Sequence, residues 1–269
     1  MSAPASAKHL CWSYDDRHEF EARARDFLGA GLAAGEQVWY ATAGGPGGLT
    51  GWLEEEGRAR PGAVRFVPLE AAYRSGALVD PPAQVAEYVA ATAAAVADGH
   101  AGLRVVVDVT PLVRTPAQFN AFARYEALVD RHITAAPMRA VCALDRGALG
   151  DRAVAELACL HPATNVDGAR FSLRAGPPGG PAATLAGDLD ITADELLPAA
   201  LAHVLPRPVD GRIVIDARDL RFVDHRALLH LQRYAEDSAA VAVLHTSLST
   251  VGRLLDCLGA ARVRVEGKG

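Results

Sequence analysis

Lysine is almost missing from this chain: it occurs only at Lys8 and Lys268, and every other basic side chain that titrates high is arginine. Together with the abundance of alanine, this is the mark of a GC-rich bacterial coding sequence. One consequence is chemical. A nucleotide-phosphate loop needs glycine N–H groups, a Lys and a following Ser/Thr. The glycine-rich loop Gly44-Gly45-Pro46-Gly47-Gly48 continues into Leu49-Thr50, holds no Lys, and loses one N–H donor at Pro46. ATP hydrolysis is therefore not expected. Nor is there a positive excess: Lys+Arg of 27 against Asp+Glu of 32 leaves a net charge of -5, which gives no field to hold a nucleic-acid backbone. Cysteine is sparse, with Cys11, Cys142, Cys159 and Cys257 far apart and without a CxxC pair, so reduced, buried thiols are expected rather than a disulfide framework. No apolar run reaches the roughly 18 to 20 residues that span a bilayer. Met1 to Ala7 lacks a basic start followed by an apolar core. The expectation is a cytoplasmic protein. Neither a G-x-S-x-G turn nor an H-E-x-x-H helix is present.

What the chain does have is an apolar fraction of 50% over 269 residues, ample for one large or two ordinary cores. In the first part, strands predicted at His9 to Ser13, Gln37 to Thr42, Ala63 to Val67, Leu103 to Val109 and Arg139 to Leu144 alternate with helical stretches. That alternation implies a parallel sheet covered by helices on both faces. Asp16 and Glu19 read as a capping box ahead of a helix that Gly35 stops, and further helices are expected over Pro82 to Asp98, Pro116 to His132 and Arg146 to Leu160. A boundary near His161 to Gly168 divides the chain into residues 1–165 and 166–269. In the second part, two strands flank the turn cluster Ala175 to Pro181. A helix then opens at a capping box, Thr192 and Glu195, and carries Pro198 inside it. Strand Arg212 to Asp216, helix His225 to Glu236, strand Ala240 to His245, helix Leu248 to Leu258 and strand Arg262 to Val265 complete a mixed sheet. The fold class expected throughout is α/β.

The run Gly187-Asp188-Leu189-Asp190-Ile191, followed by Ile213-Val214-Ile215-Asp216 and Leu220-Arg221-Phe222-Val223-Asp224-His225, resembles a STAS domain, the fold of bacterial anti-sigma-factor antagonists. In that family the second run ends in Asp-Ser-Ser/Thr-Gly, and a kinase phosphorylates the serine after the aspartate. Here Asp224 is followed by His225, Arg226 and Ala227, so the resemblance implies a partner-binding surface without its usual phosphoacceptor. Three readings stay open: constitutive binding, control by the preceding domain, or a rebuilt surface. A histidine at that position could also respond to pH, and Ser238, Ser247 and Ser249 are hydroxyls in predicted loops. In the first part, His9-Leu10-Cys11 before Tyr14, Phe27-Leu28 with Gly31-Leu32 and Gly35-Glu36, Tyr125-Glu126, and Cys142-Ala143-Leu144-Asp145 with His161-Pro162 resemble a MEDS domain. That sensory domain occurs in dichloromethane-responsive regulators and in proteins of methanogens and methylotrophs. The run from Gly31 to Thr42 is also similar to part of a RecA/KaiC-type ATPase core. In such ATPases a magnesium-associated acid stands where Asp108 follows the strand Leu103 to Val107.

The candidate ligand-binding residues are accordingly His9, Tyr125, Glu126, Asp108 and His161. Glu126 is the acid to inspect first, although a helix-surface role is favoured for it. His9 and Cys11, with Cys159 and His161, have the residue types of a soft-metal site. Packing is the favoured reading of all four, and His161 before Pro162 could simply close its helix. No catalytic residue, metal or cofactor is expected. The function implied is a non-enzymatic signalling regulator acting by partner switching in transcription control. Its partner would be an anti-sigma factor or a serine-kinase-fold regulator, with a small-molecule ligand for the sensory part and neither nucleic acid nor membrane. A relic nucleotide-binding enzyme and a scaffold in a larger assembly are the alternatives.

Overall fold

The structure is a computed structural model that describes residues 7–43, 48–69 and 78–267; most of the glycine-rich loop, Gly44 to Gly47, lies outside them. The chain forms two compact units, Met1–Val154 with Ala163–Val166, and Ala155–Pro162 with Asp167–Gly269. In the first, β1 (His9–Tyr14), β2 (Gln37–Thr42), β3 (Val64–Pro68), β4 (Leu103–Asp108), β5 (Met138–Asp145) and β6 (Ala163–Thr164) form one sheet in the order β3-β2-β4-β5-β1-β6. Every pairing in it is parallel. Its helices are α1 (Arg17–Ala33), α2 (Gly48–Ala59), α3 (Pro81–Ala97), α4 (Pro116–Ala135) and the short α5 (Arg146–Leu149), with α6 (Asp151–Ala158) following. All six residues of β4 are buried, Arg104 included. A strand buried on both faces, rather than on alternate residues, is what a parallel sheet covered on both sides requires.

Asp16 caps α1 by accepting from the His18 N–H, and Gly35, at φ +74, turns the chain out of the helix. Phe20, Leu28, Leu10, Val38 and Leu53 meet in a core between α1, α2 and the sheet. The helix expected over Arg146 to Leu160 is two helices. Gly150, at φ 80 and ψ 157, breaks it after α5, because that backbone conformation cannot continue an α-helix.

In the second unit, β7 (Phe171–Ala175) and β8 (Ala183–Leu189) form the antiparallel hairpin expected around the Gly/Pro turn. β9 (Arg212–Asp216) and β10 (Leu220–Val223) run parallel to β8, β11 (Val241–His245) parallel to β9, and β12 (Val263–Val265) parallel to β11. The sheet is mixed. The helices are α7 (Ala193–Val204), α8 (His225–Asp237) and α9 (Ser249–Leu258). The expected capping box at Thr192 does not form. Its backbone lies at φ −71, ψ −20 without a side-chain cap, and its N–H and Oγ1 both donate to Asp190 Oδ1. An Asx turn has taken the donor that a cap would have used.

Candidate functional site

The first residue of β1, the middle of β5 and the middle of α4 bring together a buried polar cluster. Pro116 opens α4, and Thr115 and Gln118 close a reciprocal capping box, so the helix is fixed from its first turn. Glu126 and Asp130 then lie one turn apart on the face that also buries Phe122, Ala123, Val129 and Ile133. His9 stands between them. Its Nε2 is 3.0 Å from Glu126 Oε2 and its Nδ1 is 3.1 Å from Asp130 Oδ1. The Cys142 thiol donates to Glu126 Oε1 at 3.2 Å and lies 3.7 Å from His9 Nε2. His9, Glu126 and Asp130 are at most 2% exposed.

Burial alone would lower the pKa of His9. The hydrogen bonds and charges of Asp130 and Glu126 outweigh it and raise the value to about 9, so the ring is an imidazolium at neutral pH. The Cys142 thiol is raised well above its ordinary value, by burial first and by Glu126 second. Glu126 therefore corrects the helix-surface reading: it is fully buried and hydrogen-bonded by a thiol. Cys11, the neighbour expected beside His9, is raised to about 12 chiefly by burial, against a hydrogen bond with Thr164 that lowers it.

A second cluster lies at the carboxyl ends of the central strands. Asp108, at the end of β4, accepts from Arg17 Nη1 at 2.8 Å and from Tyr14 OH at 3.1 Å through Oδ2, and from the Thr110 N–H at 3.3 Å through Oδ1. Arg17 also donates to Tyr40 OH at 3.0 Å and lies 4.9 Å over the Phe20 ring, which stacks on Tyr14. Tyr14 is pushed up to about 12 by burial and the nearby Asp108. Asp108 is thus held by an internal guanidinium, a phenol and a backbone N–H. Tyr125 is a packing residue at 3% exposure, its ring 5.5 Å from Phe122 and 6.4 Å from Tyr88.

In the second unit, His161 is buried with Nδ1 2.9 Å from Leu157 O, the contact that closes a helix end. Cys159 is buried as expected, whereas Cys257 is exposed: α9 turns it outward, away from the face that buries Val251 and Leu255. Asp224 caps α8 by accepting from the Ala227 N–H at 2.9 Å. His225 and Arg226 are exposed in its first turn while Ala227 is buried. Around them Phe222 is 50% exposed, Leu229 44% and Ile191 66%. Asp194 of α7 holds Arg226 at 3.3 Å and His230 at 2.8 Å, which joins the starts of α7 and α8 into one surface.

Sequence reasoning found His9, Glu126 and Asp108 but missed Asp130, Cys142 and Arg17 as their partners. The available signal was the i, i+4 acid pair Glu126 and Asp130 on the apolar stripe of α4, where solvated acids do not belong. Residues 8–162 match the family model of MEDS, the MEthanogen/methylotroph, DcmR Sensory domain. No curated protein and no solved structure matches the chain.

Proposed function

Because this chain belongs to the MEDS family, we propose that it is a non-enzymatic cytoplasmic signalling protein whose sensory domain governs a C-terminal STAS-like unit that binds an anti-sigma factor of serine-kinase fold. The observation that carries the output half is the start of α8. Asp224 caps the helix, His225 and Arg226 are exposed, and the apolar side chains Phe222, Leu229 and Ile191 are left uncovered beside them. A helix start offers N–H groups and a positive dipole end to a partner. In an antagonist, a phosphoryl group of about -1.5 to -2 charges at this position would change that surface enough to release the partner. His225 offers a kinase no hydroxyl, so binding here persists in the presence of ATP.

The relic-enzyme reading is disfavoured by the ion pair of Arg17 with Asp108, which satisfies the acid internally. The test uses the purified full chain with candidate anti-sigma kinases from the same genome. Wild type is expected to form the complex equally with and without ATP, whereas His225→Ser is expected to accept the γ-phosphoryl group of ATP on its hydroxyl, releasing ADP, and to dissociate. Absence of complex with every candidate, for both forms, would overturn the proposal.

A further inference from the structure

We propose that His9 Nε2, the Glu126 carboxylate and Cys142 Sγ form a binding site for a borderline-soft divalent cation, zinc being the best match, inside the sensory domain. The proposal stands independently of the signalling reading, since it concerns only what these buried side chains hold. It also departs from the expectation that His9 and the cysteines merely pack.

Three observations carry it. The first is spacing. Zinc bonds of about 2.0 to 2.2 Å to nitrogen or oxygen and about 2.3 Å to sulfur, at tetrahedral angles, set the donors about 3.3 to 3.6 Å apart. The observed separations are 3.0 Å between His9 Nε2 and Glu126 Oε2, 3.2 Å between Cys142 Sγ and Glu126 Oε1, and 3.7 Å between Cys142 Sγ and His9 Nε2. One donor atom from each of the three side chains thus lies within 4.8 Å of the others, close enough for a single cation to take all three.

The second is orientation. Asp130 Oδ1, 3.1 Å from His9 Nδ1, fixes the ring so that Nε2 faces the other two donors. A carboxylate behind a histidine is the usual outer-shell support of a metal ligand. Asp130 is a positioning residue rather than a ligand.

The third is donor chemistry. A thiolate, an imidazole and a carboxylate together select zinc over magnesium or calcium, which take oxygen donors. An ion-pair cluster alone would explain the histidine and the acids, but it has no use for a thiol 3.2 Å from the carboxylate.

The experiment strips the full-length protein with a chelator, confirms its fold by circular dichroism, adds zinc, and measures bound metal after gel filtration. It is repeated with cobalt, whose thiolate bonds give a near-ultraviolet charge-transfer band. About one ion per chain is expected, with the cobalt–thiolate band present in wild type and in Cys257→Ser, which removes the exposed cysteine. Cys142→Ser should lose the band and bind zinc at least about tenfold more weakly, and Asp130→Asn should weaken binding by about 10- to 100-fold while keeping the band. A folded, stripped wild type that takes up no ion, or a cobalt complex without a thiolate band, would overturn the site even if the variants fail to fold.

Discussion

Gly31 shows how one missing methyl group can decide a packing contact. It lies in α1 where the Arg104 stem passes, and a Cβ there would stand 2.7 Å from Arg104 Cδ and 2.9 Å from its Nε. Arg104 cannot easily yield, because it donates to Phe27 O at 2.9 Å, pairs with Glu36 and lies 4.8 Å over the Phe27 ring. Helix propensity alone would make Gly31→Ala stabilising by about 0.8 to 1 kcal/mol. Overpacking against a pinned side chain costs about 1 to 3 kcal/mol, so the overlap wins. A net loss of up to about 2 kcal/mol in urea unfolding is expected, and a gain would show that Arg104 swings aside. The same scale explains what could be read in the candidate site. His9, Glu126 and Asp108 were visible as residue types near motif pieces, but their partners were not. The contacts of His9 with Asp130 and Cys142 join positions 121 and 133 apart, and no local pattern in β1 or β5 marks which side chains will meet across the sheet and helix. Cys142, flanked by Val141 and Ala143, has the context of a packing thiol, and only the approach of α4 turns it toward an acid.

At the scale of elements, Pro198 is the clearest conflict between local preference and the observed fold. It occupies the interior of α7 with no N–H to donate, yet its ring is exposed, so no packing compensates for the lost bond. Pro198→Ala is expected to stabilise the second unit by about 1 to 3 kcal/mol, read as an increased urea midpoint. An unchanged midpoint would mean that Pro198 already rigidifies the unfolded chain by as much as it disturbs the helix. Gly150→Ala should act in the opposite sense, because φ 80 with ψ 157 is a region open essentially to glycine, with a cost of about 1 to 3 kcal/mol for other residues; a fall of that size in thermal stability, without loss of helical circular dichroism, checks it. Most strands were legible because buried parallel strands are short apolar runs. Arg212–Asp216 and Gln37–Thr42 fall where the pattern put them. β6, two residues long, and β10, where only Leu220 and Val223 are buried, carry too little pattern to be seen alone. α2 is not among the elements that the pattern marks, although three consecutive acids, Glu54 to Glu56, lie in it. It buries only Leu49 and Leu53, a stripe too sparse to stand out. The break at Gly150 was missed because a single glycine in a helical pattern is usually tolerated.

At the scale of the whole molecule, each unit has a core of its own: Leu10, Phe20 and Leu53 in the first, and Leu173, Leu185 and Ile213 in the second. On the signalling reading, a message from one binding event to another is a coupling free energy. Such coupling is reciprocal. If a cation in the sensory domain changes the affinity of the output unit for its partner by some factor, the partner must change the affinity for the cation by the same factor. Couplings of about 1 to 3 kcal/mol, or about 5- to 150-fold, are usual for two-site regulators. This last prediction rests on both the signalling reading and the metal site, and it tests them jointly. The partner dissociation constant is measured with zinc-saturated and chelated protein, and the zinc dissociation constant with and without saturating partner. Equal ratios of fivefold or more are expected. Two ratios near unity, with both ligands bound, would mean that the site at His9 stabilises the fold without informing the output. Unequal ratios would violate linkage, and would mean that one of the four measurements reports a binding event elsewhere, for which the exposed thiol of Cys257 is the first place to look.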